Sequence, residues 1–157
     1  GAACYSPVTL VDIFPTLCEI AGATVNADWK LDGISLVRAL DGADTNLERA
    51  IFWHFPGYLD TPVLRGRDRT FRTRPVTVMR KGDYKLFLYH EEWLLDGGAS
   101  NVPGNRAVEL YYMKNDSGER QELSAAEPSI RDALLAEVLA FLKANGNPLP
   151  TLKKVGN

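Results

Sequence analysis

Two six-residue runs, Val76 to Lys81 and Tyr84 to Tyr89, flank the dipeptide Gly82-Asp83. Both are rich in aliphatic, aromatic and β-branched residues, and a two-residue link leaves no room for a crossover connection. They must therefore pair antiparallel as a hairpin, which excludes an all-parallel sheet. Ala50 to Phe55, ended by Pro56-Gly57, and Val108 to Tyr112 read as two further strands. Pro128 suits a first helical turn, and Ile130, Leu134, Leu135, Val138, Leu139, Phe141 and Leu142 then recur at helical spacing through Lys143, before Asn145-Gly146 stops the run. The expected fold class is α+β: a small antiparallel sheet of about four strands, a C-terminal helix packed on one face, and short helices ahead of it.

The leading helices are Thr9 to Gly22, with Thr9 and Asp12 set as a capping box, and a brief one that Ser35 caps through Leu40. Ile13, Leu17 and Ile20 share one face of the first, and Pro15 is expected to bend or restart it. Tyr58 to Pro75 and residues 96–106 read as irregular connections. No apolar run approaches the roughly 20 residues needed to cross a bilayer. A net charge of −2 gives no general reason to bind nucleic acid or an acidic membrane. No secretion signal is visible. The two cysteines, Cys4 and Cys18, make no disulfide framework; they are either one bridge or two thiols.

The chain's own residues do not spell out an enzyme. His54 and His90 have no partner histidine or cysteine at metal-ligand spacing, and His90-Glu91-Glu92 is not the zinc-protease pattern. No serine sits in a nucleophile elbow, and no glycine loop precedes a phosphate-binding lysine. The unusual cluster is Arg65, Arg67, Arg69, Arg72 and Arg74; with Arg80, Lys81 and Asp68, residues 65–81 carry +6. Guanidinium forks match the oxygens of sulfate, phosphate or carboxylate, although such a loop can equally be solvated and paired with surface acids. His54 and Tyr58, around a strand end before a long loop, are the other candidate binding residues, with packing as the plainer role.

Three separated motifs resemble the tail of the type I, formylglycine-dependent sulfatases of the alkaline phosphatase superfamily. The first runs from Pro7 through Asp12, Pro15 and Thr16 to Gly22, followed by Asp32-Gly33-Ile34-Ser35-Leu36. The second is Arg49 to Tyr58, then Arg80-Lys81-Gly82-Asp83-Tyr84-Lys85-Leu86, similar to the family's R-x-G-D-W/Y-K-L hairpin. The third, Glu109-Leu110-Tyr111 through Asp116 and Glu119 to Leu123, is similar to L-Y-x-L-x-x-D-P-x-E-x-x-N-L, with Ser117 for the proline, Glu122 for the asparagine and Met113 for the aliphatic.

This resemblance implies a parent enzyme that hydrolyses sulfate esters, of a sulfated carbohydrate given the arginines, with a formylglycine nucleophile and calcium. Neither Cys4 nor Cys18 fits the C/S-x-P-x-R nucleophile motif, so no catalytic or metal residue and no cofactor is assigned within this chain, and the isolated chain is expected to be inactive. Residues 1–48 would join the large N-terminal α/β domain, and 49–157 would form the C-terminal subdomain, lending His54, Tyr58 and the arginines to substrate binding. The family suggests a periplasmic or secreted parent. The apolar face around Ile13 and Leu17 would be covered by the large domain, and exposed it can drive self-association. A related phosphodiesterase or phosphonate hydrolase, or a free-standing anion- or glycan-binding module, are the competing expectations.

Overall fold

The structure, a computed structural model, describes residues 4–42, 47, 49–58, 74–104 and 106–151. Arg65, Arg67, Arg69 and Arg72 lie outside the described residues. The chain divides into two compact units, Gly1–Arg49 and Ala50–Asn157.

In the first unit a 3-10 turn, Leu10–Asp12, leads into α1, Ile13–Ile20, and a short α2, Val37–Leu40, follows. Pro15 does not interrupt α1, which runs unbroken from Ile13 to Ile20. It occupies the third helical position, where the backbone N–H has no intrahelical acceptor to lose. Asp12 is fully buried and holds the unit together. Its Oδ2 accepts the Thr9 N–H at 2.8 Å and its Oδ1 the Ile34 N–H at 3.1 Å. Arg49 closes on both oxygens as a fork, Nη1 at 2.7 Å from Oδ1 and Nη2 on Oδ2. Burial pushes the Asp12 carboxyl up, but Arg49 and the two N–H donors outweigh it and hold it below the usual range. Thr16 Oγ1 donates to the Asp12 carbonyl at 2.6 Å and accepts the Leu36 N–H at 2.9 Å. Gly33 has to be glycine, because a Cβ there would sit 2.0 Å from the Val11 carbonyl oxygen. The apolar residues of α1 face outward: Ile13, Leu17 and Ile20 are all about half exposed or more. No disulfide joins Cys4 and Cys18.

The second unit is a four-stranded antiparallel meander, order β1-β2-β3-β4, with β1 Ala50–Phe55, β2 Val76–Lys81, β3 Tyr84–Tyr89 and β4 Val108–Tyr112. Lys81 pairs with Tyr84 across Gly82-Asp83, which sets the hairpin register. Between β3 and β4 lies a helix absent from the sequence reading, α3, His90–Leu95, followed by a 3-10 turn at Gly98–Asn101. Six residues are too few for helical periodicity to show, and its N-cap Tyr89 supplies no side-chain cap. The last helix, α4, spans Pro128–Asn145, and Gly146 ends it in the left-handed region at φ 57°. Leu134, Leu135, Val138 and Leu142 of α4 pack on Met79, Leu86, Leu88, Val108 and Leu110 of the sheet. Phe87, Tyr89 and Tyr111 point to the opposite face with Val78. That double burial explains why β3 reads almost continuously apolar.

Candidate functional site

His54 stands on β1 directly opposite Thr77 of β2. The ladder continues to β3, which ends at Tyr89, so His90 opens α3 at the same end of the sheet. His54 Nδ1 lies 2.8 Å from Thr77 Oγ1, which lies 2.8 Å from His90 Nε2. The two rings meet edge to face at 5.6 Å. His54 Nε2 is 2.9 Å from the Pro148 carbonyl oxygen, beyond the end of α4. That carbonyl can only accept, so His54 Nε2 carries a proton. In neutral His54 the Nδ1 then accepts from the Thr77 hydroxyl, and Thr77 in turn accepts from His90 Nε2–H. His90 is neutral: burial, then the nearby His54, lowers it to about 4.

The first turn of α3 gathers the other described candidates. Tyr58 donates to Glu91 Oε2 at 3.0 Å. Arg74 Nε forms an ion pair with Glu92 Oε1 at 2.9 Å, and its guanidinium lies 4.1 Å over the Tyr89 ring. Burial raises the Glu92 carboxyl, with Arg74 opposing. So His90, Glu91 and Glu92, three consecutive residues of the helix that periodicity does not reveal, engage His54 through Thr77, Tyr58 and Arg74 respectively. Thr77 is the member that sequence reasoning missed. A polar residue inside an apolar strand, between Val76 and Val78, was the available signal. Among the described residues no three His, Cys, Asp or Glu side chains converge closely enough to hold a metal ion, so no metal ligand is assigned.

No family model matches the chain. A sulfatase of Formosa agariphila is 33% identical over 155 residues, covering 90% of this chain and 24% of its own length. The chain is similar to the C-terminal region of sulfatases. Steryl-sulfatase of Mus musculus is 28% identical over 138 residues, covering 85% of this chain and 22% of its own. The chain thus spans about a quarter of the length of these sulfatase relatives. Among solved structures, Ps i-CgsB in complex with k-i-k-neocarrahexaose gives a TM-score of 0.60 at 16% identity, over 87% of this chain and 24% of that one. BT4656 in complex with its substrate D-glucosamine-2-N,6-O-disulfate gives 0.53 at 22% identity, over 85% of this chain and 24% of that one. These two share the fold. The sulfatase-like motifs coincide with structural joints: Asp12, Gly33 and Arg49 make the buried fork, and Gly82-Asp83 makes the hairpin turn.

Proposed function

We propose that this chain is the C-terminal part of a sulfatase that hydrolyses sulfate esters of a carbohydrate. The observation that carries the reading is the match of nine-tenths of the chain to one end of a much longer sulfatase. Residues 1–48 join the large α/β domain, and residues 49–157 form a subdomain that borders its substrate pocket. The formylglycine nucleophile and the calcium site belong to that large domain, outside these residues. His54, Tyr58, Arg74 and the arginines Arg65, Arg67, Arg69 and Arg72 contribute the basic, hydrogen-bonding edge. Guanidinium forks meet sulfate oxygens in two parallel N–H···O bonds, which fits a polyanionic sugar.

The experiment is to express the native gene, including the sequence upstream of Gly1, and assay it against sulfated monosaccharides and oligosaccharides. Sulfate release is expected from the long protein and not from residues 1–157 alone with calcium added. Turnover by the isolated chain, or a long protein that cleaves phosphodiesters and spares sulfate esters, would overturn the reading.

A further inference from the structure

Between α4 and the segment that follows α3, Trp93, Val102, Pro103, Leu135 and Leu139 wall a cavity of about 360 Å³, a volume within the range of small-molecule sites. Arg131, in the first turns of α4, also lines it and is only 7% exposed. Its Nε donates to Asp132 Oδ1 at 2.8 Å and its Nη1 to the Ser124 carbonyl at 3.0 Å. A guanidinium carries five N–H donors, and among the described residues Nη2 meets no acceptor and is not buried away from solvent. The carboxylate paired with it belongs to Asp132, whose side chain is 59% exposed and can turn to water. A donor of this guanidinium that water reaches is open to an incoming anion, whose charge-assisted hydrogen bonds to it are stronger than those of water.

The walls select what that anion is attached to. They offer an indole and aliphatic carbons rather than the amides and hydroxyls that would satisfy a sugar's hydroxyls. We propose that this cavity is a binding site for a small organic carboxylate with an aromatic or branched aliphatic body. The carboxylate forks onto Arg131, displacing Asp132, and the body packs against Trp93 and Leu139. The site shares no residue with the His54 cluster and does not depend on the sulfatase reading.

Benzoate and its neutral isostere benzamide are the probes, added to this chain and followed by ¹H–¹⁵N shifts of the Trp93 indole and the α4 amides. Saturable benzoate binding localised to those signals is expected, with benzamide at least about tenfold weaker because it lacks the charge-assisted fork. Arg131→Lys keeps the charge, loses the fork and weakens benzoate about tenfold. Ala136→Leu fills the cavity, leaves Arg131 in place and abolishes binding even if Arg131→Lys does not fold. Asp132→Asn removes the competing carboxylate and tightens benzoate. No saturable benzoate shift, equal binding of benzamide, or benzoate binding that survives Ala136→Leu overturns the proposal.

Discussion

Thr77 has a hydroxyl at 0% exposure inside a sheet, and among the described residues its side-chain partners are two imidazoles. Thr77→Val keeps the shape and leaves His54 Nδ1 and His90 Nε2 facing a methyl group. The expected cost is about 1–3 kcal/mol in urea unfolding, with Thr77→Ser recovering most of it. His90 makes the same cluster pH-sensitive. Unfolded, it titrates near 6.5, and folded, near 4, so between those values the unfolded chain binds the proton first. Stability is therefore complete above pH 6.5, falls as pH drops toward 4, and levels off below. The loss is on the order of 2 kcal/mol, taken below the full shift because the cluster sits at a sheet end near water. His90→Gln, which keeps an N–H near the Nε2 position, should flatten that acid limb in chemical denaturation measured from pH 7.5 to 4. An unchanged slope would assign it to other groups.

Among the elements, the first-unit turn depends on backbone contact and the second-unit helix on side-chain area. Gly33→Ala drives a methyl into the Val11 carbonyl, a backbone atom that cannot move aside as a flexible side chain can. Loss of the Ile34 N–H bond to Asp12 should follow, seen as fast amide exchange at Ile34 and Leu36. Slow exchange retained there would show that the turn tolerates a Cβ. In the sheet, Leu86 is fully buried beneath α4, and Leu86→Ala should cost about 2–5 kcal/mol by calorimetry or urea melt. The short α3 has no side-chain cap of its own, and what it packs on and hydrogen-bonds to must sustain it.

At the scale of the molecule, the first unit exposes several large apolar side chains. Leu10 is 87% exposed, with Ile13, Leu17 and Ile20 beside it in sequence and likewise uncovered. If the proposed large domain covers these residues, Leu17→Glu should raise the solubility of the isolated chain, read by light scattering, and lower the yield of the long protein. A neutral effect on the long protein would separate this surface from the proposed domain contact. The four strands, the hairpin link and the last helix were legible in the sequence, because runs of β-branched and aromatic residues, a two-residue turn and 3.6-residue periodicity are local properties of the chain. The sulfatase resemblance was legible too, since its motifs keep their order. Asp12 could be read as a cap, but its fork with Arg49, 37 positions away, could not. Nor could Thr77 joining His54 to His90, or the first turn of α3 collecting Tyr58 and Arg74. Those partners are distant in sequence, and only sheet register and chain reversal bring their polar atoms within 3 Å; no local pattern encodes such a meeting.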